Sequence, residues 1–224
     1  MKRAIDIVAS GLGLVVLLPV LAVIAAAILI RSGRPVLYGG ERVGLHGRPF
    51  VMLKFRTMCA DASLRGGTST PGDDQRITAV GRVLRRYKLD ELPQLVNVLK
   101  GDMSLVGPRP QVAWAVRLYS PGERALLSVR PGMTDYASIR FANEAEILRG
   151  STDPDRDYLE KIAPEKIRLG LDYVRTHSTV VDLTIILATL WAVAGGNPET
   201  VLAARRPGGL RLPEPAHMPE RQPR

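Results

Sequence analysis

The residues best suited to chemistry stand in one block, from Leu89 to Pro110. It opens on adjacent carboxylates, Asp90 and Glu91, and closes on Arg109, held between Pro108 and Pro110. Two acids and a guanidinium suit phosphoryl chemistry: a carboxylate can serve as nucleophile, base or metal ligand, and an arginine can bind a phosphate. The same acids also suit plain capping. Negative charge at a helix N-terminus is favoured by roughly 0.3–1 kcal/mol, and capping is the commoner use of such a pair. The local sequence leaves both readings open.

The element that must position these acids is a short helix. Leu92, Leu95, Val96 and Leu99 recur at helical spacing, Gly101 is a natural stop, and Pro93 falls in the first turn, where a missing N–H does little harm. Upstream, Val80, Val83, Leu84 and Tyr87 form a second helical stripe running into Asp90. Arg82, Arg85, Arg86 and Lys88 share that stretch, as a surface for phosphates or acidic lipid or as a solvated face. Residues 35–56 predict a β-hairpin, with strands at Val36–Tyr38 and Phe50–Leu53 and the turn at His46-Gly47. Lys54 and Arg56 flank Phe55 and share one face if the strand persists. Residues 60–76 have loop composition.

After Pro110, residues 111–129 predict helix broken at Pro121-Gly122, and Arg130-Pro131-Gly132-Met133-Thr134 predicts a turn. Glu165–Arg175 predicts a mixed-charge helix. Val180–Val193 suits either a core helix or one lying in a membrane interface with Trp191 as anchor. From Pro207 onward, Pro and Gly crowd a sequence poor in apolar residues, which predicts a disordered tail.

The N-terminus sets the cellular context. No charge occurs from Ile7 to Ile30, a run long enough as helix to cross a hydrocarbon core of about 30 Å. A spanning anchor, a re-entrant helix kinked at Pro19 and a cleaved signal peptide all fit; a buried core helix fits less well. Lys2 and Arg3 precede the run and Arg31 and Arg34 follow it, so the positive-inside bias is satisfied if both ends stay cytoplasmic. The 224 residues carry a net charge of +9, which points to an anionic partner. Aromatics are only 5%, and no zinc-finger spacing or dinucleotide-binding glycine pattern occurs, so a nucleic-acid reader has no docking motif. Cys59 is the single cysteine, which excludes an internal disulfide.

Four ordered blocks together resemble the bacterial sugar transferases, the monotopic polyprenyl-phosphate phosphoglycosyl transferases in their small form. They are Lys2–Asp6 before the apolar run, Lys54-Phe55-Arg56-Thr57-Met58, Leu89–Pro110, and Arg130–Thr134. The likeness covers roughly residues 1–195. It implies an α+β, mainly helical fold, with a re-entrant membrane helix over residues 1–31, a hairpin and amphipathic interfacial helices. These surround one cytoplasmic catalytic domain over residues 32–197, leaving 198–224 as the tail. It implies transfer of a sugar 1-phosphate from a UDP-sugar to polyprenyl (undecaprenyl) phosphate, releasing UMP, at the cytoplasmic face of the bacterial inner membrane. This step would start a lipid-linked glycan such as exopolysaccharide, capsule or O-antigen.

By the same resemblance Asp90 is the nucleophile and Glu91 a catalytic group and Mg²⁺ ligand. Arg109, Arg85 and Arg56 match phosphate-binding positions, while Lys54, Arg130, Pro131 and Gly132 are candidates for substrate or nucleotide contacts. Mg²⁺ is the implied cofactor, membrane lipids are the further partners, and a homo-oligomer is left open. The chain departs from the family pattern at Leu18 before Pro19, at Asp135–Glu144, and at Gly170, where members carry an acid. The altered segment motivates an alternative: an inactive, membrane-bound interaction protein of the same fold.

Overall fold

The first element is α1, Lys2–Ser32, in a computed structural model that describes residues 1–62 and 66–204. Among the described residues α1 is the one helix long and apolar enough to cross a membrane. Its polar N-terminal turn is bonded to the rest of the chain. Lys2 donates to the carbonyl of Val106 (2.9 Å), the Tyr173 hydroxyl (3.1 Å) and Asp182 (2.7 Å). Arg3 donates to the carbonyls of Val98 (2.6 Å) and Leu99 (2.8 Å), which lie where a helix end leaves carbonyls unsatisfied. Asp6, only 4% exposed, accepts from Ser104 Oγ and Leu105 N, each at 3.0 Å. At the far end Ile24 and Ile28 pack with Phe55 and Leu84. Both ends of α1 are thus tied to one domain, while Val8, Leu12, Val15, Val16, Leu18 and Val23 stay exposed.

The hairpin pairs β1, Leu37–Val43, with β2, Pro49–Phe55, antiparallel from Leu37↔Phe55 to Val43↔Pro49. Its tip is Leu45–Gly47, with His46 left-handed at φ 55°. β1 runs further than its composition predicts, because Gly39 and Gly40 are paired strand residues rather than breakers. A Cβ at Gly39 would lie 2.7 Å from the Val51 side chain, and at Gly40 would meet Tyr38 and Arg42.

α2, Ala79–Arg86, follows the predicted stripe and is capped by Thr78, whose hydroxyl accepts from Gly81 N. A Cβ at Gly81 would sit 2.0 Å from the Thr57 carbonyl, so glycine lets α2 press onto that backbone. α3, Gln94–Lys100, ends at left-handed Gly101. Its Asn97 is 1% exposed; it accepts from Leu53 N (2.9 Å) and donates to the Val51 carbonyl (2.8 Å), docking α3 on β2. β3, Ser104–Val106, pairs in parallel with β4, Gly132–Thr134. The sequence predicts a turn at Arg130–Thr134; the structure makes it a strand, because its partner lies 28 residues earlier in the chain and local composition cannot reveal it.

Between these strands, α4 covers only Ala113–Arg117, and a short 3₁₀ stretch, Glu123–Ser128, replaces the rest of the helix predicted over 111–129. Five helices follow: α5 (Tyr136–Arg140), α6 (Glu144–Ile147), α7 (Pro154–Lys161), α8 (Ala163–Thr176) and α9 (Thr179–Val193). α9 is two-sided. Ile185 and Ala188 are buried with Val106, Ile139 and Tyr173, whereas Val180, Leu183, Leu187, Leu190 and Trp191 are exposed. The tail expected over 198–224 opens instead on a helix, α10, Pro198–Ala204, which brings Leu202 into that core; the rest of that expectation, residues 205–224, lies outside the described residues. The architecture is mainly helical α+β with two small two-stranded sheets among the described residues.

Asn97→Leu is expected to lower stability by about 1–3 kcal/mol for each backbone group left buried and unpaired. Denaturation of the purified protein in detergent checks it.

Candidate active site

Asp90 and Glu91 occupy one 3₁₀ turn, Leu89–Glu91, between α2 and α3. Lys88 before it is left-handed (φ 57°), an uncommon state for a residue with a Cβ, and it turns the chain sharply out of α2. The two acids then meet different surroundings. Glu91 accepts from Lys54 Nζ on Oε1 (2.9 Å) and from Arg109 on both oxygens, with Nη1 to Oε2 at 2.9 Å and Nη2 to Oε1. Burial opposes its ionisation, but the Arg109 and Lys54 charges outweigh this and hold its carboxyl well below the usual range. The Glu91 charge in turn raises Arg109 above its ordinary value against the opposing effect of burial.

Asp90 is 5% exposed, and among the described residues no donor is bonded to its carboxylate. Burial pushes its carboxyl above the ordinary value and the Glu91 charge adds to this, while Lys54, Arg85 and Lys88 pull the other way. A carboxylate with open oxygens, ringed by cations, can approach a phosphorus whose oxygens those cations hold. Arg85 is half-buried beside Asp90 and Glu91, and its Nη1 is buried with no acceptor among the described residues.

Arg109 is set by the strand pair. Gly107 N donates to the Thr134 carbonyl (3.1 Å) and Gly132 N to the Pro108 carbonyl (3.0 Å). A Cβ on Gly132 would lie 2.1 Å from Gly107 N, so the two backbones touch and glycine is required there. Arg109 Nη1 also reaches the Met133 carbonyl (3.3 Å). Arg130, Pro131 and Gly132 stand on β4 and the chain leading into it: Arg130 Nε donates to the Gly101 carbonyl (2.9 Å), and the Pro131 carbonyl accepts from Ser104 N (2.9 Å).

Arg56 is held elsewhere, at the end of α1. It is 7% exposed and donates to the carbonyls of Ser32 (2.5 Å), Gly33 (2.7 Å) and Arg34 (3.0 Å) just past α1, not toward the acids. Its charge stabilises that helix C-terminus. Lys54, Arg85 and Arg109 are the sequence-selected cations that the structure brings to Asp90 and Glu91.

Beyond Arg109 opens a cleft of about 190 Å³, with Gln111, Tyr119, Asp135, Tyr158 and Lys166 in its wall. Burial pushes the Tyr158 hydroxyl up to about 12. Arg42 of β1 lies within electrostatic reach of Arg109 and Tyr158. Sequence reasoning passed over Arg42, Gln111 and Tyr158; the one local sign was that Tyr38, Gly40 and Arg42 alternate along a strand face.

Among the described residues no cluster of three or more His, Cys, Asp or Glu side chains could hold a metal alone. Glu91 already accepts three N–H groups, leaving about one of a carboxylate's four or so acceptor positions. This suits Mg²⁺ held by one or two carboxylates and otherwise by phosphates and water.

A family model for bacterial sugar transferases matches residues 1–196. The chain belongs to the bacterial sugar transferase family. This sugar transferase is 42% identical over 193 residues to a Caulobacter vibrioides protein named UDP-glucose:undecaprenyl-phosphate glucose-1-phosphate transferase, covering 84% of this chain and 68% of that one. An Escherichia coli protein of the same name is 38% identical over 194 residues, covering 85% of this chain but 39% of its own length. Exopolysaccharide production protein ExoY of Sinorhizobium fredii is 34% identical over 207 residues, covering 86% of this chain and 84% of its own. The chain therefore spans most of the length of ExoY but well under half of the Escherichia coli relative.

The two acids of this sugar transferase carry opposite stability signs. A carboxyl raised on folding makes the charged form a burden at neutral pH; a depressed one adds stability above its unfolded pKa that is lost as pH falls through the folded value. Asp90→Asn is thus expected to raise the melting temperature at pH 7 and Glu91→Gln to lower it. The gap between Glu91→Gln and the unmutated protein should shrink below pH 4 or so, as the unfolded-state carboxyl protonates. Thermal denaturation across pH checks both signs.

Proposed function

We propose that this sugar transferase moves a sugar 1-phosphate from a UDP-sugar to undecaprenyl phosphate, releases UMP and so starts a lipid-linked glycan such as an exopolysaccharide. The observation that carries the reading is the pair of unlike acids: Asp90 buried with open oxygens among cations, beside Glu91 clamped by Arg109 and Lys54. The names of the Caulobacter and Escherichia coli relatives support the same donor, acceptor and transferred group.

The reaction follows as two displacements. An Asp90 carboxylate oxygen attacks the sugar-bearing phosphorus of the donor. The bond from that phosphorus to the bridging oxygen breaks, and UMP leaves with the oxygen and the electron pair. The enzyme then holds a sugar-phosphoryl group as an acyl phosphate on Asp90. A phosphate oxygen of the lipid attacks the same phosphorus, the bond to Asp90 breaks, and the carboxylate is regenerated. Direct attack would bring two phosphate anions together; the intermediate spares them that encounter. Lys54, Arg85 and Arg109 offset the charge that gathers on the phosphoryl oxygens. The remaining acceptor position of Glu91 would hold Mg²⁺ jointly with the donor's phosphates, and the ion would supply charge neutralisation on the leaving group.

The site must meet a cytosolic nucleotide sugar and a phosphate at headgroup level. A re-entrant α1 serves this, entering the cytoplasmic leaflet of the inner membrane and returning. The reading is supported by the attachment of both α1 ends to one domain, through Lys2 and Asp6 at one end and Arg56 at the other. The exposed apolar side of α9, with Trp191, would rest on the same leaflet.

Incubation with a labelled UDP-sugar and no lipid is expected to leave label on Asp90, and Asp90→Asn to abolish UMP release. Turnover by a variant lacking Asp90 would refute the nucleophile. Tags at Met1 and Arg224 are expected to be reachable only from the cytoplasm; a periplasmic Met1 would mean a spanning helix.

A further inference from the structure

Arg109 and Arg42 form an unbalanced pair of guanidiniums. Arg109 comes from the arm after β3 and its charge is met by Glu91 through two hydrogen bonds. Arg42 comes from β1 and is half-buried. Its Nη1 donates to the carbonyl of its own neighbour, Glu41 (2.7 Å), and among the described residues no carboxylate forms an ion pair with it. The charged and polar groups that act on it are Arg109, Tyr38 and Tyr158; burial and the Arg109 charge both weigh against its ionised form. A guanidinium does not shed its proton to relieve such a conflict. An anion between the two side chains relieves it, and guanidinium forks match phosphate oxygens.

The fold makes room for this arrangement. Gly40 lies between Tyr38 and Arg42 on the strand, and a Cβ there would fall 3.2 Å from Arg42 Nη1 and 3.4 Å from the Tyr38 hydroxyl. Next to Arg42, Val43 N donates to the Gln111 carbonyl (2.9 Å), which ties this end of β1 to the cleft wall. Gln111 also accepts from the Tyr158 hydroxyl through Oε1 (3.4 Å). Arg42 therefore stands within electrostatic reach of both Arg109 and Tyr158, on the strand end tied to Gln111 of the cleft wall.

A diphosphate donor supplies two phosphates, and the centre distinguishes two positions for them. The charges acting on Asp90 are those of Lys54, Glu91, Arg85 and Lys88. Of these, the cations Lys54, Arg85 and Lys88 suit the phosphate that is attacked. The other phosphate, displaced outward, meets Arg109 and then Arg42. We infer that Arg42 binds the phosphate that leaves with the nucleoside, and that the cleft beyond it, walled by Gln111, Tyr119 and Tyr158, takes the nucleoside half of the donor. This rests on the transferase reading above and adds to it the residue that grips the leaving group.

The test compares Arg42→Gln and Arg42→Lys with the unmutated protein in detergent, using UMP binding by calorimetry and turnover of a UDP-sugar with undecaprenyl phosphate. Loss of a charge-assisted phosphate contact is expected to lower kcat/KM for the donor and weaken UMP binding by about 10–100-fold in Arg42→Gln. KM for the lipid should not change. Arg42→Lys keeps the charge without the fork and is expected to fall between, and it carries the test if the glutamine variant does not fold. Unaltered donor kinetics and UMP affinity in the folded variants overturn the assignment. So does a rise confined to the lipid KM, which would put Arg42 at the acceptor phosphate. Unmutated protein that neither binds UMP nor releases it would instead sink the transferase reading itself.

Discussion

Glu91 is the point at which three separate stretches of chain are drawn together. Its carboxylate holds Lys54 from the end of β2 and Arg109 from the arm after β3, while its own backbone belongs to the turn that opens α3. All three groups are largely withdrawn from solvent. Such a cluster is stable only with good geometry, and the two-pronged contact from Arg109 supplies it. The arrangement also divides labour between neighbouring acids. Glu91 is paired with two cations and stays ionised. Asp90, one residue away, keeps its oxygens open in a buried place where its charge is held less firmly. Environments that push two carboxyls in opposite directions are a common basis for giving them different roles.

The apolar first helix depends on a comparable device. A long uncharged run carries no side chain that could form an ion pair with the domain, so its charged first turn does the attaching. Lys2, Arg3 and Asp6 each reach backbone or side-chain groups of α3, β3, α8 or α9. Ser10, fully buried, donates to the Asp6 carbonyl within the same helix. Arg56 performs the matching task at the other end. The same β3 strand that receives Asp6 also pairs with β4 and leads into Arg109, so the apolar helix and the arm carrying Arg109 share one short strand.

The segment least like the family pattern, Asp135–Glu144, begins just past β4, and its Asp135 and Glu144 act electrostatically on Arg109. Asp135 caps α5 and lines the cleft, and Glu144 pairs with Lys166 on α8. Asp90, Glu91 and Arg109 lie outside it. Variation in a cleft wall changes which molecule is recognised, whereas the phosphorus chemistry needs only the centre. Gly170 fits this view in a different way: a Cβ there would already stand 2.7 Å from Leu126, so the position packs α8 against the 3₁₀ stretch rather than adding an acid.

Local periodicity and turn chemistry made the long apolar helix, the α2 and α3 stripes, the hairpin tip at His46-Gly47 and the adjacency of Asp90 and Glu91 legible from sequence, because each depends on residues within a few positions. Composition also disclosed an anionic partner through the +9 charge. What a side chain does with its charge depends instead on where distant segments meet. Arg56 and Arg130 look like their neighbours Lys54 and Arg109 in sequence, yet they end on carbonyls of Ser32, Gly33 and Gly101. Gly39-Gly40 reads as a break until Val51 and Arg42 are seen to need the space, and Arg130–Thr134 reads as a turn until Ser104–Val106 lies alongside it. Sequence alone determined which charges were available and which segments were helical. Only tertiary structure decided which charges face one another, since burial and pairing are set by contacts tens of residues apart.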